Sequence, residues 1–180
     1  MGLFYNILSK LSEQAMSWRG TQMMLQLTRG FFERKQFRAY KEFTGNTVLK
    51  MVFAKPFFLH SQVLYTDVGA ARVTISTGGV ESGVWVDMPT KFGKYLIEGP
   101  VAGSTTVTTG GTVTIGNERE VMRVSCGTGG NSATAATTLS SIRALPPGTY
   151  YATITVTGTT TGIYSIEWEE IEPSDVIRQP

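Results

Sequence analysis

The chain has 180 residues, enough for one packed domain with an accessory segment but short for two complete domains. Hydrophobic residues make up 41% of the sequence and charged residues 17%, a balance that excludes global disorder. The single cysteine, Cys126, excludes an intrachain disulfide and any metal or redox motif that needs two thiols.

The formal net charge of +2 is unevenly distributed along the chain. Residues 1–55 contain nine Lys or Arg and three Glu, whereas the remaining residues contain seven bases and eleven acids. Such an excess of positive charge in one segment indicates an acidic partner, and the options are another protein, nucleic acid or a lipid surface. The alternative interpretation is a solvated helix face without a partner.

Residues 1–43 are predicted to form a basic, helical N-terminal arm. Within residues 3–18 the apolar side chains recur at spacings of three and four, which places them on one stripe of a helix. A second helical stretch is predicted from Thr21 to about Tyr40, with an interruption at Gly30. The apolar stripe is too large to remain in water, so we expect it to pack against the β domain, another copy or a foreign surface.

Basic and aromatic residues alternate in the second part of this arm. Together they can neutralise phosphates and stack on bases, but the sequence contains no recognisable nucleic-acid-binding module. Aromatic residues and arginine are also enriched at protein interfaces, and we therefore favour a protein partner. The predicted partner-binding residues are Phe4, Ile7, Leu8, Leu11, Trp18, Arg29, Phe31, Phe32, Arg34, Phe37 and Arg38.

From Thr47 onward the sequence consists of short runs rich in Val, Ile, Thr, Tyr and Phe, separated by Gly, Pro and Asn. This pattern predicts a jelly-roll-like antiparallel β-sandwich over residues 44–172, followed by an extended tail at 173–180. Strands are predicted near 47–54, 57–65, 71–77, 83–88, 94–98, 105–109, 112–116, 119–126, 137–143, 149–157 and 162–171.

The last two predicted strands show the clearest alternation of apolar and polar residues. Gly158 to Gly162 is predicted to connect them as the turn of an antiparallel hairpin with one buried and one wet face. The predicted buried face consists of Tyr150, Ala152, Ile154, Val156, Tyr164, Ile166 and Trp168.

Few residues in the sequence suggest catalysis. His60 is the only histidine, and we interpret it as a packed or strand-edge residue, because a general acid or base also needs a partner and a cleft. Cys126 is interpreted as a small buried residue, because a nucleophilic thiol needs a histidine and an orienting group. We therefore expect no enzymatic activity and no cofactor.

Four glutamates lie near the end of the last predicted strand: Glu167, Glu169, Glu170 and Glu172. A calcium ion needs six to eight oxygen ligands from several segments, and these residues belong to one segment. We interpret them as a solvated edge that discourages aggregation, and we expect no metal site.

The segment Leu145-Pro146-Pro147-Gly148-Thr149-Tyr150-Tyr151, with the arm and the alternating strands, resembles small virion proteins of tailed bacteriophages. In that group a Pro-Gly-Thr-Tyr step commonly starts one of the last strands of a β-sandwich. The resemblance implies a structural protein of the virion, made in the host cytoplasm, such as a head decoration, fibre, tail or fibre-adaptor protein. It further implies attachment of the arm to other virion proteins of the capsid or tail, outward display of the sandwich, and a homo-oligomer, commonly a trimer.

Two other functions remain as alternatives. A carbohydrate-binding sandwich would use Trp85, Tyr95 or Tyr151 to stack on sugar rings, although core packing also explains these residues. A membrane-surface protein would place an amphipathic helix of residues 1–20 on lipid. Under the virion hypothesis, deletion of residues 1–43 is expected to leave a folded β domain that no longer joins the particle.

Overall fold

The described part of the chain is an antiparallel β structure. The fold comes from a computed structural model, which describes residues 35–88, 92–93, 103–126, 135–139 and 143–171. All regular secondary structure in these ranges is β-strand, and each strand pairing is antiparallel. The predicted mainly-β, antiparallel class is therefore confirmed, while the helix predicted at residues 3–18 lies outside the described ranges.

Twelve strands are present in the described ranges. They are β1 (Gln36–Phe43), β2 (Thr47–Phe53), β3 (Phe57–Thr77), β4 (Glu81–Ser82), β5 (Val86–Asp87), β6 (Phe92–Gly93), β7 (Thr106–Thr109), β8 (Thr112–Val113), β9 (Asn117–Ser125), β10 (Ala135–Leu139), β11 (Arg143–Leu145) and β12 (Gly148–Glu170). Ten of them form one large sheet, and β4 pairs with β8 in a separate two-stranded ribbon.

The two longest strands, β3 and β12, pair with each other and form the centre of the large sheet. A straight strand of the 23 residues in β12 would span roughly 75 Å. However, Phe53, the partner of Gly148 at the start of β12, contacts Trp168 near its end, with ring centroids 5.7 Å apart. The two ends of β12 therefore lie close together, and the sheet is folded back on itself.

The fold-back divides the large sheet into two halves that face each other. The first half-sheet contains residues 148–157 of β12 and 70–77 of β3, flanked by β2, β7 and β5 on one side and by β9 on the other. The second half-sheet contains residues 162–170 of β12 and 57–66 of β3, flanked by β1 and β6 on one side and by β10 and β11 on the other.

The hydrophobic core contains side chains from both half-sheets. Each predicted inward residue of β12 is buried except Val156, which is partly buried and packs against the core. Trp168 is fully buried, stacks on Phe37 at 5.8 Å and contacts Phe53 edge to face. Aromatic rings bury large apolar areas, so this contact between the half-sheets is a major source of stability.

Glycine is required where the sheet folds back. The register between β3 and β12 shifts between Thr157 and Gly162. A Cβ atom at Gly162 would overlap the carbonyl oxygen of Tyr65 and would lie 2.7 Å from Cζ of Phe43. A side chain at this position would therefore push apart two strands that the fold-back brings into close contact.

Gly162→Ala is expected to lower the free energy of unfolding by roughly 2 kcal/mol, the typical cost of overpacking. Urea denaturation of the full chain measures this change. Gly45→Ala is the matched control, because a Cβ atom at Gly45 meets no atom within 4 Å. Equal denaturation midpoints for the two variants would contradict the proposed steric role of Gly162.

Residues 36–43 form β1, so the helix predicted up to about Tyr40 is wrong for residues 36–40. Its earlier part lies outside the described residues. β1 pairs with β12 from Gln36 opposite Glu169 to Phe43 opposite Gly162, and Phe37 and Phe43 enter the core. Pairing with a long central strand outweighs the local helical pattern in this segment.

β12 is one strand, so the hairpin predicted around Gly158 to Gly162 is also wrong. Thr157 lies opposite Ala70 and Gly162 lies opposite Thr66, which shows that the chain continues through an irregularity without reversing. The two strands predicted at 57–65 and 71–77 are likewise parts of the single strand β3. Bulges and bends use the same Gly-rich composition as turns, which explains both errors.

Candidate functional site

Most of the predicted partner-binding residues lie outside the described part of the chain. Phe37 is only 3% exposed and stacks on Trp168, so its ring is not available for insertion into a partner. Arg38 is exposed and pairs with Glu167 across β1 and β12, with Nε 2.7 Å from the carboxylate oxygen. The residues outside the described ranges are Phe4, Ile7, Leu8, Leu11, Trp18, Arg29, Phe31, Phe32 and Arg34.

The aromatic residues proposed for sugar binding are engaged in packing where the structure describes them. Tyr151 is buried on the outer face of the first half-sheet, where the alternation predicted a wet position. Trp85 is half-buried, and a Cβ atom at Gly111 would lie 2.6 Å from its Cδ2, so glycine packs directly on the ring. Lys50 Nζ lies 5.4 Å from the centroid of the Trp85 ring. Tyr95 lies outside the described residues.

A hydrogen-bonded group joins the β4–β8 ribbon to the first half-sheet. Glu81 of β4 accepts hydrogen bonds from the Tyr151 hydroxyl at 2.5 Å and from Lys50 Nζ at 2.7 Å. These two bonds lower the pKa of Glu81 below its ordinary value. Burial, reinforced by the Glu81 carboxylate, raises the pKa of Tyr151 to about 12. The arrangement supports a structural role, because it anchors the ribbon.

The stability contribution of Tyr151 should depend on alkaline pH. Its folded-state pKa is raised above 10.0, so the contribution is complete below pH 10 and is lost as the pH rises toward about 12. The Tyr151→Phe variant has no titrating hydroxyl at this position, so it lacks this pH-dependent contribution to stability. We therefore expect the difference in urea midpoint between wild type and variant to narrow between about pH 10 and pH 12. A difference that stays constant over this range would contradict the assignment.

A cleft of about 530 Å³ opens between the two half-sheets on the side of β9 and β11. Its apolar walls include Leu59 of β3 and Leu145 of β11 from the second half-sheet, and Ile75 and Tyr150 from the first. This volume is within the usual range for small-molecule sites, and apolar walls with a few polar groups are typical of them. The cleft is therefore the best candidate for a functional site in the described residues.

A chain of hydrogen bonds connects the cleft with the core. The Tyr164 hydroxyl donates to Gln62 Oε1 at 2.6 Å, and Gln62 Nε2 donates to Glu120 Oε2 at 2.7 Å. Arg143 Nη2 donates to the same Glu120 oxygen at 2.7 Å. Burial is the largest cause that raises the pKa of Tyr164, and the nearby Glu120 carboxylate adds to it, so Tyr164 stays a neutral donor. Glu120 is thus fixed in position on the lining of the cleft.

The sequence alone does not reveal this cleft. Gln62 and Tyr164 are 102 residues apart, and Gln62 and Glu120 are 58 residues apart, so no local motif contains them. Glu120 points inward beside Ile75, where the pairing of β3 and β9 shifts register. Glu120 is a charged residue at an inward position of β9, whereas the other charged residues of β9 are exposed. This difference indicates a polar group in the interior, but it is visible only when the strand register is known.

The glutamates at the end of β12 are not a solvated edge, so that interpretation is wrong for Glu169 and Glu170. Glu169 is 4% exposed, and its Oε2 lies 3.1 Å from His60 Nε2 and 3.2 Å from Gln36 Nε2. These contacts join β1, β12 and β3, and they place His60 in a packed position, as predicted. Glu172 lies outside the described residues.

Glu170 binds the segment that precedes β7. Its Oε1 accepts hydrogen bonds from the backbone N–H and the hydroxyl of Thr105, at 2.9 and 2.7 Å. Its Oε2 accepts from the backbone N–H and the hydroxyl of Ser104, at 3.1 and 2.9 Å. Glu170 is 8% exposed, and all four donors meet one carboxylate, so it acts as a clamp between the second half-sheet and the 103–105 segment.

Cys126 is buried, as predicted, and its thiol donates to the Thr66 carbonyl at 3.2 Å. Within the described residues, no group of three or more His, Cys, Asp or Glu side chains is arranged to hold a metal ion. The described ranges also contain no helix with the length and apolar character needed to cross a bilayer.

None of the protein families, curated proteins or solved structures with which the chain was compared matches it.

Proposed function

We propose that this chain is a structural protein of a tailed-phage virion, attached to a capsid or tail component through its N-terminal residues. The β domain is displayed, its two facing half-sheets are a β-sandwich of the jelly-roll-like class, and the protein carries out no catalysis. Its site of action is the assembled particle.

The observation that carries this proposal is the start of β12. The Pro147-Gly148-Thr149-Tyr150 step, on which the resemblance to phage virion proteins depends, opens the last long strand at Gly148. The Tyr150 hydroxyl donates to the Pro146 carbonyl at 3.0 Å, which fixes the entry of the chain into the strand. The position of this step at the start of the last long strand supports the proposal.

The join between the arm and the β domain lies one residue before β1. The Glu170 N–H donates to the Lys35 carbonyl at 2.9 Å, so the chain is attached to the sheet from Lys35 onward. The attachment segment proposed here is therefore residues 1–34. Deletion of residues 1–43, expected from the sequence to leave a folded domain, would remove β1 and with it Phe37 and Phe43 from the core.

The described surface supports self-association. β5 is the last strand on its side of the large sheet, and among the described strands it pairs only with β7. Val84 and Val86 beside this edge are 77% and 59% exposed. An open strand edge with exposed apolar residues favours pairing with another chain. We propose that copies of the protein associate as a homo-oligomer, with a trimer as the first arrangement to test by native mass spectrometry.

Particle incorporation tests the proposed function. Tagged full-length chain and a variant that lacks residues 1–34 are produced in cells that assemble the phage encoding the protein, and particles are purified by density gradient. We expect the full chain in the particles and the truncated chain in the soluble fraction. Circular dichroism of the purified truncated chain should show an unchanged β spectrum.

A full-length variant with Phe4, Leu8 and Leu11 changed to serine separates the apolar stripe from chain length. A matched control changes Ser9, Ser12 and Ser17 to alanine, which alters the same segment without removing apolar side chains. The serine variant should be lost from particles and the control retained. Absence of the wild-type chain from purified particles would overturn the proposed function, whereas equal incorporation of all variants would overturn the attachment role alone.

A further inference from the structure

The cleft between the half-sheets has one positive charge that no acid of the described residues neutralises. Arg143 and Glu120 form a pair at 2.7 Å, which leaves Arg119 as the remaining charge of the lining. Arg119 Nε donates to the Thr77 hydroxyl at 3.1 Å, a neutral acceptor that directs the guanidinium group without compensating it. The excess charge favours a ligand with a single negative charge.

Arg143 is held by Glu120 on the wall of the cleft. Its Nη2 donates to Glu120 Oε2, and its Nε has no solvent-accessible surface, so a ligand in the cleft cannot reach that donor. Arg119 is exposed, and its Nε bond to Thr77 leaves the terminal N–H groups of the guanidinium available to a ligand. Arg119 is therefore the group that can donate to an anion in the cleft.

The side chains that line the cleft determine the chemical character of the uncharged part of the ligand. Leu59, Ile75 and Leu145 are aliphatic, and the Tyr150 ring adds an aromatic surface. The Tyr150 hydroxyl is occupied by the Pro146 carbonyl, and burial raises its pKa, so this side chain presents a neutral surface. A ligand that fits these walls has an apolar body of small-molecule size.

We propose that this cleft binds a carboxylate that carries an apolar body, with Arg119 as the counter-ion and the aliphatic and Tyr150 side chains as the walls. A free small-molecule acid and the C-terminal carboxylate of a peptide with an apolar last residue share this chemistry. A monoanionic carboxylate matches the single excess charge, and a guanidinium group binds it with two parallel N–H donors.

The proposal is tested with two acid probes and their neutral amides on the full-length, 15N-labelled chain. The probes are 4-phenylbutyrate, for the small-molecule source, and the dipeptide Gly-Phe, for the peptide source. We expect at least one acid at about 1 mM to shift the amide signals of residues 75–77, 119–120, 143–145 and 148–150. The neutral amide of that acid should bind at least about tenfold more weakly. The acid that binds more tightly identifies the source.

Arg119→Met keeps an unbranched apolar stem and removes the charged guanidinium group, and we expect it to weaken binding of the better acid about tenfold. Arg123→Met is the matched control, because Arg123 lies on the same strand and is exposed away from the cleft. The affinity of Arg123→Met for the better acid should equal that of the wild type. The same spectra show whether each variant is folded.

Three results would overturn the proposal: no shifts with either acid, equal binding of acids and amides, or unchanged affinity of Arg119→Met. If Arg119→Met does not fold, Arg119→Lys replaces it. Lysine keeps the charge but loses the two-pronged donor geometry, so partial loss of affinity is expected, and full affinity would contradict the assigned contact. The test requires no particle, so its outcome is independent of the proposed attachment.

Discussion

Trp168→Ala is expected to lower the free energy of unfolding by roughly 4 kcal/mol, the usual cost of removing a large aromatic side chain from a core. Trp168 has no exposed surface and contacts Phe37 and Phe53, each from a different half-sheet. Its loss leaves a cavity at the point where the two halves meet. Because small domains are stable by only about 5–15 kcal/mol, this variant should be close to unfolding at physiological temperature.

Urea denaturation followed by far-ultraviolet circular dichroism measures this effect on the full chain. Trp168→Phe should recover much of the lost stability, because a smaller ring still fills part of the space. Val84→Ala is a surface control with 77% exposure in the parent residue, and it should change stability by less than about 0.5 kcal/mol. A midpoint for Trp168→Ala near that of the surface control would show that the half-sheets do not depend on this contact.

Glu170→Gln is expected to have the second-largest effect, roughly 3 kcal/mol, although it changes one atom. Both carboxylate oxygens accept two hydrogen bonds, and all four donors belong to Ser104 and Thr105. In either orientation, the side-chain amide of the Glu170→Gln variant places its NH2 group opposite the backbone N–H of Ser104 or of Thr105. Two donors then face each other in a buried position, and at least one acceptor is lost.

Glu118→Gln is the matched control for this exchange. Glu118 is exposed and pairs with Arg72 at 3.0 Å, and a surface ion pair of this kind contributes about 0–1 kcal/mol. Hydrogen exchange adds a local measurement, because loss of the clamp should increase exchange at residues 104–107 before global unfolding. Equal stability of the Glu170 and Glu118 variants would contradict the clamp.

The class of the fold and the inward face of β12 could be predicted from the sequence. Alternation along residues 150–157 and 164–169 gives the buried face correctly, since side chains of a strand point to opposite sides at every step. The inward residues Phe37, Ala39 and Phe43 of β1 also lie at even spacings, but the sequence before them predicted a helix that extended to about Tyr40. Apolar residues at every second position of this segment are the pattern of a strand.

The fold-back could not be predicted, because glycine and threonine near residue 160 are equally compatible with a turn and with an irregular strand. The choice between them depends on the partner strand. β3 has 21 residues against 23 in β12, and it bends at the corresponding place, with Gly69 at a φ of +78°. Only the pairing of two distant segments contains that information. The cleft was missed for the same reason, since its charged groups come from β9 and β11 and meet only after the sheet folds back.

The position of β12 has a consequence for the life of the newly made chain. β1 and β2 lie side by side with residues that follow them by more than 90 positions, and the pair of Gln36 with Glu169 spans 133. The centre of the large sheet cannot close on the ribosome until β12 has emerged, so the edges of β1, β2 and β3 that pair with β12 stay open until then. Closure of such distant contacts is slow, which makes this protein a candidate client for chaperones that shield nascent β-strands.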